Sequence, residues 1–273
     1  MTDDVRADLA YALDASRLMG EAIEAAPDGW QRRTLRRSHK RVLMLVTRQG
    51  GKSTTTAAKA MHKALYTPGS LTLLVSPSQR QSGELFSKVT DVYNAAGAPV
   101  PALRASALRM ELQNGSRIIA LPGSEKTIRG YSGVDLLVID EAARVLDDLY
   151  YSVRPMLAVS DGELVCMSTP WGKRGWFYDE WTDPEATEWT RIKVTADACP
   201  RITETFLEEE RRKLGEWWFR QEYYCEFSDT VDSLFSTDDI DGAFSDDVAP
   251  LFAEEEAEPE APSVSDHITP LSL

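Results

Sequence analysis

The feature that most constrains this chain is a glycine turn between a buried strand and a helix, within LMLVTRQGGKSTTTAAKAMHKAL (43–65). Residues 42–46 are apolar, and a helical pattern follows Ser53. A strand, a tight turn and a helix N-terminus together form a cradle for phosphate oxygens, because the free N–H groups and the helix dipole point at the same place. The connection is typical of α/β proteins with a parallel sheet.

The residue types in this turn suit a nucleoside triphosphate. Lys52 can reach the β- and γ-phosphates, and the Ser53 hydroxyl can bind Mg²⁺. The usual loop has a glycine six residues before the lysine, where this chain has Val46, and Arg48 can add positive charge near the terminal phosphate. The predicted nucleotide-binding residues of the loop are Arg48, Gln49, Gly50, Gly51, Lys52, Ser53 and Thr54. A chance Gly-Gly-Lys-Ser turn with a solvated arginine is the alternative.

A second apolar strand ends in two acids, in LLVIDEAA (136–143). Ligands of open α/β sheets bind beyond the C-terminal ends of the strands. We therefore predict that Asp140 holds Mg²⁺ and that Glu141 acts as the general base that polarises the attacking water. An Asp-Glu helix cap is the alternative interpretation of the pair alone. Together with the phosphate loop, the pair predicts binding and hydrolysis of ATP with Mg²⁺.

Strands alternate with helices along most of the chain, which predicts a mostly parallel sheet with helices on both faces. Residues 5–25 predict one amphipathic helix, and Asn114–Gly115 predicts the turn of a hairpin. A helical pattern near the C-terminus is split at Gly215. The domains that we assign are an N-terminal helix (1–28), the core (29–200), a small helical lid or linker (201–240) and a largely disordered acidic tail (241–273).

The net charge of −14 is concentrated in the tail, because residues 229–273 contain 13 of the 44 acidic residues and no Lys or Arg. The overall acidity therefore says little about the partners of the folded domain. The three cysteines are far apart, the N-terminus is charged, and no apolar run is long enough to span a bilayer. These features predict a reducing, cytoplasmic setting without a membrane.

Three segments together resemble the ATPase half of the large terminase subunit of tailed bacterial viruses, a P-loop fold of the RecA-like (ASCE) type: TRQGGKST, LLVIDEAA and CMSTPWGKRGWFYDEW. The phosphate loop of that family typically begins with Ser/Thr-Arg-Gln and lacks the first glycine. The resemblance, which covers roughly residues 25–240, thus accounts for Val46 and gives Arg48 the missing phosphate contact. It further implies that Gln31 recognises adenine and that Thr169 couples hydrolysis to movement.

The resemblance also implies partners. A subunit of this kind works in a homo-oligomeric ring that moves double-stranded DNA through a portal protein, together with a terminase small subunit, in the cytoplasm of the bacterial host. In such rings an arginine of one subunit can complete the site of the next. Arg129 is our first candidate and Arg80 the second, with a structural salt bridge as the alternative role.

Members of the family usually carry a nuclease domain after the ATPase. The residues after 240 are too few and too polar to form one, so we expect no nuclease domain here and a nuclease that is encoded separately or lost. Two other functions fit the same motifs: a helicase-type DNA translocase, which would need a second core of similar size, and a decayed prophage copy that binds ATP as an interaction module.

Overall fold

One mixed sheet organises the computed structural model, which describes residues 3–123, 128, 130–229 and 242. In the described chain the strands are β1 (Arg41–Val46), β2 (Leu71–Ser76), β3 (Ala102–Ser106), β4 (Arg109–Leu112), β5 (Arg117–Pro122), β6 (Leu136–Asp140), β7 (Glu163–Ser168) and β8 (Thr190–Val194). The α-helices are α1 (Asp3–Leu13), α2 (Ala15–Ile23), α3 (Gly29–Arg36), α4 (Lys52–Tyr66), α5 (Gln79–Ala95), α6 (Asp147–Val153), α7 (Gly175–Thr182) and α8 (Glu204–Tyr224).

The strand order is β3-β4-β5-β2-β6-β7-β1-β8. All neighbours from β5 to β8 are parallel, and only β3-β4 and β4-β5 are antiparallel. The order places β7 between β1 and β6, so the residues that follow these three strands meet at one edge of the sheet. The predicted mostly parallel sheet is confirmed.

Both faces of the sheet are covered by helices. One core cluster contains Met44 and Val138 and is closed by α2, α4 and α5, while the other contains Leu43 and Ile139 and is closed by α6 and α7. Alternate residues of the same strands thus enter different cores, which explains why the strands are continuous apolar runs. The prediction of helices on both faces is confirmed.

The prediction of one helix over residues 5–25 is wrong. The chain breaks at Asp14, which is the N-cap of α2: its side chain accepts a hydrogen bond from Ser16 N at 3.0 Å and pairs with Arg36 at 2.7 Å. The expected apolar stripe is divided in the same way. Leu18 and Met19 are buried, whereas the apolar side chains of α1 are exposed, namely Val5, Leu9 and Leu13.

The hairpin at Asn114–Gly115 joins β4 to β5 as predicted, but the neighbouring strand β3 was not predicted. Gly215 interrupts α8 with φ 76° and ψ 162°, which confirms the predicted break. The acidic tail lies outside the described residues apart from Gly242, and the domain boundaries stay predictions. In the described part of the chain, no helix combines the length and apolarity needed to cross a bilayer.

Candidate functional site

The turn after β1 has the backbone of an anion-binding loop. Gln49 and Gly51 both have positive φ, 59° and 92°, and Gly51 is the N-cap of α4. Successive N–H groups in such a conformation point into one concavity. Because α4 begins at Lys52, its unpaired N–H groups and its dipole face the same space. The loop is therefore shaped for phosphate, as the sequence predicts.

Packing explains why the loop needs both glycines. A Cβ atom on Gly50 would lie 2.7 Å from Val46 Cγ1 and 3.0 Å from the carbonyl oxygen of Thr47. A Cβ atom on Gly51 would lie 2.6 Å from Nε2 of Gln31, which is itself buried. Val46 thus fills the floor of the loop, which is the position where the usual pattern has its first glycine.

We expect the Gly51→Ala substitution to distort the loop for two reasons. The backbone at this position has φ 92°, which is strained for alanine, and the added Cβ would lie 2.6 Å from Gln31 Nε2. Affinity for ATP should fall by about tenfold or more, and stability by about 1–3 kcal/mol. Gly69→Ala is the matched control, since Gly69 has φ 79° and no atom within 4 Å of an added Cβ. Calorimetric titration with ATP and thermal unfolding measure both effects. Equal losses of affinity in the two variants would contradict the expected role of the contact.

The acid pair lies opposite the loop. Asp140 is the last residue of β6, and Glu141 has a left-handed backbone with φ 50° and ψ 42°. The Glu141 N–H donates to Oδ1 of Asp140 at 2.9 Å. The Lys52 ammonium nitrogen lies 3.1 Å from Oε1 of Glu141. The structure therefore brings the predicted phosphate-binding lysine and the predicted general base into direct contact.

A cavity of about 470 Å³ opens at this place, a size typical of ligand sites. Its lining residues are Arg48, Gln49, Gly50, Gly51, Lys52, Ser53, Thr54, Lys88, Glu141 and Arg201. All seven predicted loop residues thus line one cavity together with Glu141. Gln31, Asp140 and Thr169 are not part of the lining, and all three are buried.

Burial has the largest effect on the pKa of Asp140. Burial raises the pKa of this carboxyl group from 3.8 to about 6, although the nearby Lys52 ammonium acts in the opposite direction. A carboxylate that is costly to ionise without a partner is a suitable ligand for a cation. At neutral pH Asp140 therefore carries a charge that the protein alone compensates incompletely.

The raised pKa predicts that Asp140→Asn stabilises the protein in the absence of nucleotide and divalent cations. The folded pKa of about 6 exceeds the unfolded value of 3.8, so folding is penalised increasingly as pH rises from about 4 to 6. Above this window the full penalty is about 3 kcal/mol, which corresponds to roughly 5–10 °C in melting temperature. Thermal unfolding at pH 8 and pH 4.5 measures it. A gap between variant and parent that does not narrow at pH 4.5 would contradict this explanation.

Two charged residues that the sequence analysis did not single out, Arg144 and Glu222, lie beside the site. Arg48 has a side chain that is 66% exposed, and its Nε lies 3.6 Å from Oε2 of Glu222. The Arg48 N–H donates to the Glu222 carbonyl at 3.1 Å. Arg144 lies between Glu141 and Glu222, at 3.6 Å and 3.8 Å from their carboxylates. Its place three residues after Glu141 is the only signal in the sequence that pointed to it.

Gln31 lies behind the loop. Its Oε1 accepts a hydrogen bond from Asp28 N at 2.8 Å at the start of α3. Arg201 pairs with the Asp28 carboxylate through both of its terminal nitrogens, each at 2.8 Å, and donates to the Gly50 carbonyl at 3.3 Å. Nothing in the spacing of the sequence indicates Arg201. Recognition of adenine by Gln31 stays a prediction.

The structure describes the predicted coupling residue, Thr169, and one of the two arginine candidates. Thr169 directly follows β7, between the loop after β1 and the acid pair after β6, and its coupling role stays a prediction. The preceding Ser168 has a buried hydroxyl without a hydrogen-bond partner in the described structure. Arg129 lies outside the described residues. Arg80 is in the first turn of α5 and does not line the cavity of the site.

Comparisons with known proteins identify relatives of this arrangement. The family model for the N-terminal part of T4likevirus-type terminase large subunits matches residues 43–241. The terminase large subunit of Thermus virus P23-45 is 26% identical over 244 residues, which cover 74% of this chain and 48% of that protein.

Two solved structures have the same fold. The large terminase ATPase domain of Thermus phage P74-26 has a TM-score of 0.66 at 22% identity and covers 79% of this chain and 99% of its own. The large terminase of a thermophilic bacteriophage, in complex with ADP, has a TM-score of 0.58 at 12% identity and covers 78% of this chain and 53% of its own. This chain spans about half the length of the curated relatives that it matches.

Proposed function

The chain belongs to the T4likevirus-type terminase large subunits, and from this premise we propose that it is an ATP-hydrolysing motor subunit that drives double-stranded DNA into a viral procapsid. The observation that carries the proposal is the contact between Lys52 and Glu141 across a cavity lined by the phosphate loop. A phosphate-binding cation and a general base must meet at the terminal phosphate, and these two side chains are 3.1 Å apart.

The loop residues bind and orient the triphosphate. The backbone N–H groups of residues 49–53 and the N-terminus of α4 hold phosphate oxygens, and Lys52 exchanges Glu141 for the β- and γ-phosphates. The Arg48 side chain is largely exposed, and its Nε is 3.6 Å from Oε2 of Glu222. We therefore assign it to the terminal phosphate, where it would stabilise the developing charge. The proposal assigns recognition of the adenine to Gln31, which would have to become accessible from its buried position behind Gly51.

Glu141 is the general base of the proposed mechanism. It lines the cavity, so its carboxylate can hold a water molecule against the terminal phosphate. Release of Lys52 to the phosphates leaves one carboxylate oxygen of Glu141 available to accept a proton. In a ring, Arg129 of a neighbouring subunit would complete the site, and Thr169 would transmit the state of the phosphate to the DNA-gripping parts.

The donor set fits Mg²⁺. Ser53 and Asp140 offer a hydroxyl and a carboxylate oxygen, the hard ligands that Mg²⁺ prefers. Within the described ranges, no group of three or more His, Cys, Asp or Glu residues is arranged for a metal. Mg²⁺ at a nucleotide site commonly takes its other ligands from phosphate and water. When bound, the ion would neutralise phosphate charge. Its presence would also offset the cost of ionising the buried Asp140.

The proposed partners follow from the motor function: double-stranded DNA, a portal protein, a terminase small subunit and a separately encoded nuclease, within a homo-oligomeric ring in the host cytoplasm. The test is phosphate release from MgATP by the purified chain, with and without linear double-stranded DNA, beside a strand-separation assay on a forked duplex. We expect hydrolysis that DNA stimulates and no strand separation. Strand separation would instead support a helicase-type translocase, and ATP binding without hydrolysis would support an interaction module.

A further inference from the structure

The residue Arg144 connects three parts of the molecule that the proposed function does not otherwise link. It ends a short 3-10 turn, Ala142–Arg144, directly after Glu141, and its N–H donates to the Glu141 carbonyl at 2.8 Å. The left-handed backbone of Glu141 turns the chain back on itself at this point. The guanidinium of Arg144 consequently lies beside the carboxylate of Glu141 rather than pointing away from it.

The two carboxylate oxygens of Glu141 have different cationic neighbours. Lys52 Nζ is 3.1 Å from Oε1, and Arg144 Nε is 3.6 Å from Oε2. In the proposed mechanism a triphosphate takes Lys52 away from Glu141. Arg144 then remains the cation that fixes the orientation of the carboxylate. Without such a partner, the carboxylate would rotate about the terminal side-chain bonds of Glu141.

Arg144 is itself held in place by an aromatic ring. Its guanidinium carbon lies 3.8 Å from the centroid of the Trp171 ring, while Arg174 lies 5.9 Å from the same centroid. Stacking of a planar guanidinium on an indole fixes the plane as well as the position of the cation. Trp171 comes two residues after Thr169, so the ring belongs to the segment that follows β7.

The opposite end of the guanidinium faces the end of α8. Arg144 Nη2 is 3.8 Å from Oε1 of Glu222, whose side chain is only 8% exposed. The same carboxylate is the partner of Arg48. Arg144 therefore has one face on Trp171 and two edges on the acids Glu141 and Glu222, an environment that leaves its side chain little freedom.

We propose that Arg144 is a positioning residue for Glu141, and that Trp171 acts on the general base only through Arg144. This inference rests on the proposed function, since it assigns Glu141 the role of base. Arg144 does not line the cavity of the site. It sets the direction of the carboxylate, and movement of the segment after β7 would change that direction by moving the indole.

The test measures kcat and KM for MgATP in the full chain. Arg144→Gln should lower kcat by about 10- to 100-fold, because a base that is misdirected by about 1 Å costs that much. KM should stay within about twofold of the parent, since no binding contact is lost. Arg144→Lys should recover part of the loss, because it keeps the charge but not the planar stack.

Trp171 supplies the second half of the test. Trp171→Leu should lower kcat by about 3- to 10-fold and Trp171→Phe by less, because phenylalanine keeps an aromatic face for the guanidinium. The double variant of Arg144→Gln and Trp171→Leu should be no slower than Arg144→Gln alone. Arg154→Gln is the matched control: Arg154 also pairs with a glutamate, Glu180 at 3.6 Å, and lies 5.4 Å from the centroid of the Tyr150 ring, but it does not line the cavity of the site.

The outcomes separate the inference from the proposed function. The inference would be overturned by a parental kcat in Arg144→Gln, by an equal loss of kcat in Arg154→Gln, or by additive losses of kcat in the double variant. In each of these cases, hydrolysis by the parent protein would leave the proposed function standing. A raised KM at unchanged kcat would also overturn it, because Arg144 would then be a binding residue. Absence of hydrolysis in the parent would overturn the proposed function and, with it, the inference.

Discussion

The Glu141→Gln variant should bind MgATP with nearly parental affinity and hydrolyse it at least about 100-fold more slowly. Glutamine has almost the same shape as glutamate, but it cannot accept a proton from water. Glu141 pairs with Lys52 at 3.1 Å and lines the cavity, so the substitution removes the base without opening the site. Lys52 loses an ionic partner, which if anything frees it for phosphate.

Two measurements on the same sample decide this prediction. Calorimetric titration with a slowly hydrolysed ATP analogue reports affinity, and phosphate release reports turnover. The exposed carboxylate Glu209 provides a control, because Glu209→Gln removes the same charge from the outer surface of α8. A Glu141→Gln variant that releases phosphate as fast as its parent would exclude Glu141 as the base.

The Lys52→Ala variant should lose both binding and turnover. Removing the ammonium takes away a charge-assisted contact to two phosphates and leaves Glu141 facing the terminal phosphate with less compensation. We expect affinity for ATP to fall by about 100-fold or more, since a charged partner at a desolvated site contributes several kcal/mol. Hydrolysis should be undetectable at ordinary ATP concentrations.

The control for this variant is Lys213→Ala. Lys213 is an exposed lysine of α8 that pairs weakly with Glu209 at 3.9 Å, so its loss changes the net charge equally and leaves the loop intact. Filter binding of radiolabelled ATP and circular dichroism distinguish loss of affinity from loss of fold. A folded Lys52→Ala variant with parental affinity would show that the phosphates bind elsewhere.

The sequence predicts the parts of this structure whose signals are local. The central strands are continuous apolar runs, and the glycine turn and the acid pair each lie at a strand end, so β1, β6 and the proximity of the phosphate loop to the acid pair could be predicted. The break at Asp14 was missed because the apolar spacing of α1 and α2 resembles one helix. Only the capping bond to Ser16 reveals the N-terminus of α2.

The remaining residues of the site could not be predicted from spacing. Glu222 and Arg201 come from the C-terminal part of the chain, and their approach to the loop depends on where α8 and the segment before it pack. Long charged side chains can occupy many rotamers, and the one adopted is set by distant partners such as Asp28. Arg144 is local, but its stack on Trp171 joins segments that are adjacent only because β6 and β7 pair.

The most direct test of the central claim is a crystal structure of the chain with ATPγS and Mg²⁺. The claim predicts that the terminal phosphate lies about 3–4 Å from Lys52 Nζ. It also predicts the metal beside Ser53 and Asp140, and Glu141 turned from Lys52 toward a water molecule. A nucleotide bound away from the loop, or one bound while Lys52 and Glu141 remain paired at 3.1 Å, would contradict it.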